Sequence, residues 1–157
     1  MGHSMSATKI LVPLDGSEQA EIALSEALTL ARALNAEVTF LRVVEPPEDV
    51  ISDAGTMIIS IDEQAEVLKD RALKYINGVC HRPEWNNVLT CVAVEIGHPA
   101  ETILDYCERH GIDRIVIAAL GRSGLRRWTV GSVAEKVLRA TDRTAVLVRS
   151  KAKSTGV

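Results

Sequence analysis

The sequence predicts an α/β fold, a single doubly wound five-stranded parallel sheet with helices on both faces. Three observations lead there. Five short apolar runs alternate with segments of helical period, so a strand and then a helix recur four times before a last strand. Most runs are apolar throughout rather than alternating, as strands covered on both faces are. The 157 residues suit one domain, and 46% hydrophobic with 25% charged residues is ordinary globular usage, enough to build one core.

KILVPL, Lys9 to Leu14, is the first strand, ended by the turn Asp15-Gly16-Ser17. In the segment that follows, Ala20, Ala23, Leu24, Ala27, Leu28, Ala31 and Leu34 recur at steps of three and four. This predicts one helix, with Ser17 as N-cap and Asn35 as its stop. VTFLRVV, Val38 to Val44, is rich in β-branched residues and reads as a second strand; Pro46-Pro47 then breaks the pattern. Residues 47–59 carry no clear period and read as a loop. Ser60 and Glu63 have capping-box spacing, ahead of a helical stripe of Ile61, Ala65, Leu68, Ala72, Ile76 and Val79.

VLTCVAVEI, Val88 to Ile96, is the third strand. Gly97-His98-Pro99 turns the chain, and Pro99 suits the first position of a helix reaching His110, stopped by Gly111. RIVIAA, Arg114 to Ala119, is the fourth strand, Ser132 to Ala140 a short helix, and Thr144 to Arg149 the fifth strand. No linker divides the chain, so residues 6–150 read as one domain. Residues 1–5, MGHSM, read as an appended remnant with Met5 as the natural start, and residues 151–157 as a frayed polar tail.

Bulk chemistry narrows the function. The net charge of −3 and the 3% aromatic content supply neither a basic footprint nor stacking platforms, so no nucleic-acid partner is expected. No apolar run approaches membrane-spanning length, so no membrane partner is expected either. Three widely spaced cysteines, Cys80, Cys91 and Cys107, fit a reducing cytoplasm better than a disulfide framework. Cys80-His81 and Cys91 lack structural-zinc spacing, and Cys107 falls on the apolar face of its helix with Ile103 and Leu104.

Ligands of doubly wound sheets collect beyond the carboxyl ends of the strands, where strand order reverses. Two turns there are chemically rich. One is Pro13-Leu14-Asp15-Gly16-Ser17. The other is AALGRSGLRRWTVGS, residues 118–132, with three glycines, three arginines and two serines. If the first and fourth strands are neighbours, both turns face one crevice. Gly121, Gly124 and Gly131 allow backbone N–H groups close to an anion, and Gly131-Ser132 opens a helix whose free N–H groups favour phosphate. Arg122, Arg126 and Arg127 can add positive charge. The same pattern also fits a long solvated loop. The chain has neither G-x-x-x-x-G-K-[ST] nor G-x-G-x-x-G at these turns, which argues against a P-loop NTPase.

From Gly121, nine residues, Gly131-Ser132 and then Val133-Ala134-Glu135-Lys136-Val137, the chain resembles the universal stress protein family. Its nucleotide-binding members carry G-x2-G-x9-G-[ST] after the fourth strand. KILVPLDGSEQAEIAL, LRVVEP and GIDRIVIAA extend the resemblance over about residues 8–149. The resemblance implies binding of an adenine nucleotide, ATP foremost, with Mg2+ as companion to a triphosphate. It implies that Asp15 contacts adenine and ribose and that Pro13 and Val43 line the adenine pocket, with Leu14 beside Asp15 counted among the binding residues. It places Gly121, Gly131, Ser132 and the Val133 amide at the phosphates, with Arg122 counted among them. It further implies a homodimer formed through the strand Thr144–Arg149, and a stress-response role as a nucleotide-dependent regulatory module.

The motif's first glycine falls at Ala118. Were that backbone left-handed, alanine would cost about 1–2 kcal/mol; because Ala118 continues RIVIA, a strand-like backbone is expected. Leu120 is apolar where the family often has a polar residue. Ala118 and Leu120 keep open a non-nucleotide-binding interaction module, and slow ATP hydrolysis is a third reading. No catalytic residue and no dedicated metal ligand are predicted. His98 has no acid or nucleophile spaced for a triad, and Trp128 reads as an anchor of its loop to the core.

Overall fold

A single parallel sheet carries the chain, its strands ordered β3-β2-β1-β4-β5. The strands are β1 (Lys9–Pro13), β2 (Glu37–Val44), β3 (Thr90–Ile96), β4 (Arg114–Ala118) and β5 (Thr144–Val148). The helices are α1 (Glu18–Glu21), α2 (Ala23–Leu34), α3 (Ile61–Cys80), α4 (Pro99–Arg109) and α5 (Ser132–Ala140). The structure, a computed structural model, describes residues 6–47, 60–119 and 130–150. Residues 1–5, 48–59, 120–129 and 151–157, with the expectations placed on them, lie outside the described residues.

The pleat of each strand sends alternate side chains to opposite faces. Ile10, Val12, Val38, Phe40 and Val116 meet α1, α2 and α3 on one face. Leu11, Leu41, Val43, Ile115 and Ile117 meet α4 and α5 on the other. The apolar runs of the central strands are thus covered twice, as their composition requires. Cys107 sits in the second layer, 2% exposed, as a small core residue. Among the described residues, no helix is long and apolar enough to cross a membrane.

Local signals set the helix ends. Ser17 Oγ accepts from the Ala20 amide at 3.2 Å, and Ser60 Oγ accepts from the Glu63 amide at 3.2 Å. Asn35 ends α2 in the left-handed region at φ 49°, and Gly111 follows α4 at φ 60°. Pro99 occupies the first turn of α4, where its missing N–H costs nothing.

The first, second and fourth strands and α4 each differ from the sequence reading by one residue at one end, and three further boundaries differ as well. The single helix expected after Ser17 is two segments, because the Ile22 amide turns back to Gln19 O in a tighter three-residue step. The third strand begins at Thr90 rather than Val88, since Pro83–Trp85 winds into a 3-10 turn that also takes the Val88 amide, 3.1 Å from Trp85 O. The fifth strand ends at Val148 rather than Arg149. The α3 stripe is also uneven: Ala72, Ile76 and Val79 are buried, Ala65 and Leu68 half-buried, and Ile61 exposed.

Phe40 is fully buried at the centre of the first layer, with its ring edge-to-face with Trp85 at 4.8 Å between centroids. Phe40→Ala removes that contact and leaves a cavity. A loss of about 3–5 kcal/mol is expected in a denaturant titration.

Candidate functional site

β1 is hydrogen-bonded to β2 on one side and to β4 on the other, with Ile10 opposite Arg114 and Leu11 opposite Ile115. From β1 the chain builds outward to β2 and β3, then returns to add β4 and β5 on the opposite side. The order therefore reverses between β1 and β4, and the space beyond their carboxyl ends is where ligands of doubly wound sheets collect. The adjacency on which the two-turn argument depended is met.

The first turn is built tightly. Pro13 is half-buried in register with Leu41, and Leu14 is 3% exposed with its amide donating to Leu41 O at 2.9 Å. Asp15 then emerges into solvent. Gly16 stands at φ +86°, a left-handed backbone that a side chain would strain. The bend lets the Ser17 amide donate to Asp15 Oδ1 at 2.9 Å, while the Ser17 hydroxyl donates to the same oxygen at 2.5 Å. Both bonds fall on Oδ1, so Oδ2 stands outside this local turn.

The second turn enters the described residues only at its two ends. Ala118 closes β4 opposite Val148, 2% exposed, in one apolar cluster with Leu14 and Ala20. Its backbone is extended, and the positive-φ residues other than glycine are Asn35 and Asn87 among the described residues. Alanine in place of the motif's first glycine thus carries no left-handed strain. Gly121 and Arg122 lie outside the described residues, as do Leu120, Gly124, Arg126, Arg127 and Trp128.

At the far end, Gly131 caps α5 with φ −52° and ψ 152°, without a side-chain capping bond. The first helical bond runs from the Glu135 amide to Gly131 O at 2.9 Å, so the amides of Ser132 and Val133 have no partner within α5. α5 leads back to β5 for a parallel pairing, which sets its amino end at the carboxyl edge of the sheet. These amides and the helix dipole make that edge favourable to an anion. Val43 lies near the carboxyl end of β2, 6% exposed, on the sheet face covered by α4 and α5.

The fold thus gathers Pro13, Leu14, Asp15, Ala118, Gly131, Ser132 and Val133 at one sheet edge beside the reversal point, with Val43 one strand away. His98 is exposed on the turn after β3, two strands from β1. Among the described residues, no group of three or more His, Cys, Asp or Glu side chains could hold a metal ion.

One cluster beside this edge carries no signal in the sequence. Glu21, the last residue of α1, accepts from Tyr75 Oη at 2.8 Å and from both terminal nitrogens of Arg82 at 2.9 and 3.1 Å. The Arg82 hydrogen bonds hold the Glu21 carboxyl below its ordinary range against the opposing effect of burial. Burial first, and then the Glu21 carboxylate, push the Tyr75 phenol up, and the charge of Asp15 adds to that rise.

A universal stress protein family model matches residues 7–149. Universal stress protein YxiE of Bacillus subtilis is 30% identical over 145 residues, covering 90% of this chain and 98% of that protein. Universal stress protein MJ0531 of Methanocaldococcus jannaschii is 31% identical over 150 residues, covering 92% and 84%. The solved structure of universal stress protein UspA from Lactobacillus plantarum superposes with a TM-score of 0.72 at 28% identity, over 93% of this chain and 100% of that one. Three structures below 25% identity share the fold. They are a universal stress protein with cAMP (TM-score 0.60), one from Archaeoglobus fulgidus with dAMP (0.56) and one from Arabidopsis thaliana with AMP (0.56).

Two measurements check this geometry. Because Ala118 is already in strand conformation, Ala118→Gly relieves nothing and loses about 0.5–1 kcal/mol in chemical denaturation. For Glu21, a lowered folded pKa means that the pair's stabilisation is complete above the ordinary glutamate value and is lost as pH falls through the lowered one. Arg82→Met therefore destabilises by up to about 1 kcal/mol near neutrality, and the difference from wild type vanishes in acid, read by thermal melts across pH.

Proposed function

The chain belongs to the universal stress protein family, and from that premise we propose that it binds an adenine nucleotide, ATP foremost, between the carboxyl ends of β1 and β4. In this reading it acts as a homodimeric, nucleotide-dependent regulatory module of the stress response. One observation carries the proposal. β1 and β4 are neighbours, so the Asp15 turn and the ends of the glycine-rich stretch share one sheet edge, in a fold whose solved members include ones holding cAMP, dAMP and AMP.

The roles divide by chemistry. Asp15 contacts adenine and ribose, accepting from one ribose hydroxyl through the oxygen that Ser17 does not use. Pro13, Leu14 and Val43 supply apolar surface to the base. Ala118 closes the floor where β4 ends, and its methyl lies in the core rather than against a ligand. The amides of Ser132 and Val133, which have no partner within α5, the Ser132 hydroxyl, Gly131, Gly121 and Arg122 receive the phosphates. The ten-residue step from Gly121 to Gly131 suits a diphosphate or triphosphate better than a bare nucleoside, and a triphosphate brings Mg2+ with it.

Dimerisation uses β5. Its inner edge pairs with β4, while Ala145 to Val148 remain only half-buried, a pairing hazard that a second copy would cover. Three free cysteines suit a cytoplasmic setting.

Calorimetric titration of nucleotide-stripped protein with ATP, AMP and cAMP tests the reading. Binding is expected, and Asp15→Ala weakens it by about ten- to a hundredfold, the loss of one hydrogen bond to a charged group. No heat with any of the three at millimolar concentration overturns it. Light scattering should give a dimer, and a monomer at high concentration rejects pairing through β5.

A further inference from the structure

We propose that the Glu21–Tyr75–Arg82 cluster is a positioning device for the nucleotide site, setting the direction of Asp15 through the short helix α1. The inference rests on the nucleotide-binding reading above and goes beyond it, because none of the three residues lies in the glycine-rich motif or in the Asp15 turn.

The path runs through hydrogen bonds on either side of the peptide step from Ala20 to Glu21. Asp15 Oδ1 accepts from the Ser17 amide and hydroxyl. Ser17 Oγ in turn accepts from the Ala20 amide at 3.2 Å, which joins the turn to the first winding of α1. α1 is only four residues long and is set off from α2 by the tighter step at Ile22. Ile22 keeps helical dihedrals (φ −60°, ψ −22°), so α1 runs on into α2, and the tighter step is where its direction is set from outside. Two contacts set it.

Ala20, 4% exposed, sets the inner face of α1 in one cluster with Leu14 and Ala118 at the reversal point. Glu21 ties the outer end to α3 and the chain beyond it through three hydrogen bonds from two side chains. Both Arg82 bonds reach the same carboxylate, a forked geometry that fixes orientation as well as distance. Tyr75 and Arg82 lie 54 and 61 residues away in sequence, so the direction of Asp15 is coupled to how the α3 layer closes over the sheet. Affinity at Asp15 depends on preorganisation, because a carboxylate free to rotate must be ordered by the ligand.

The test is a double-mutant cycle read by nucleotide titration of the full chain with ATP. Glu21→Gln is expected to weaken binding by about three- to thirtyfold. In a Ser17→Ala background, where the path is already cut, the same substitution should change affinity less than about twofold. Amide hydrogen exchange without ligand supplies the second readout. In Glu21→Gln, the Ser17 and Ala20 amides should exchange faster while the interior amides of α2 keep their protection. Equal losses in both backgrounds, wild-type affinity in Glu21→Gln, or unchanged exchange at Ser17 overturns the positioning role and leaves the nucleotide-binding reading intact. A wild-type chain that binds no nucleotide overturns both.

Discussion

Everything at the candidate site depends on β1 being held between two parallel partners. Its inner residues Ile10, Leu11 and Val12 are fully buried, and its backbone groups are shared between β2 and β4. A strand so placed cannot shift by one residue without turning its apolar set from one helix layer to the other. The register locks, and with it the point at which Leu14 ends the buried run and Asp15 enters solvent. The same arrangement sets the reversal point, because β4 is added on the opposite side of β1 from β2.

The groups described at that edge belong to chain and helix endings. The left-handed Gly16 turns the chain sharply enough for Ser17 to reach back to Asp15, and α5 begins with amides that have no helical partner. Hydrogen-bond acceptors on one side and donors on the other are what a ligand with a ribose at one end and phosphate at the other requires. Most of these groups are backbone atoms or short side chains, so their positions follow from the sheet and the helix ends with little freedom of their own.

Much of this was legible in the residues. Short unbroken runs rich in β-branched residues, such as ILV and IVIA, bounded by turn residues, read as doubly covered strands, and their alternation with helical periods points to parallel connections. The caps at Ser17 and Ser60, the stops at Asn35 and Gly111, and Pro99 at a helix start all lie where local chemistry required. Ala118 was a matter of backbone conformation, and its continuity with β4 already pointed to the strand. The misplaced start of β3 has a local cause: Val88 has a strand former's side chain, but the 3-10 turn at Pro83–Trp85 had already taken its amide.

The sequence by itself determined the alternation of strand and helix and the helix caps, because each is written in neighbouring residues with a short-range physical signature, and its motifs carried the family resemblance. Only the tertiary structure decided that β1 and β4 are neighbours, that Ala118 faces the core beside Leu14 and Ala20, and that Glu21 meets Tyr75 and Arg82. Those facts join positions separated by some fifty to a hundred residues. No local pattern encodes such pairings; they arise when the two helix layers close over the sheet and a polar group held at the boundary takes the partner that packing brings to it.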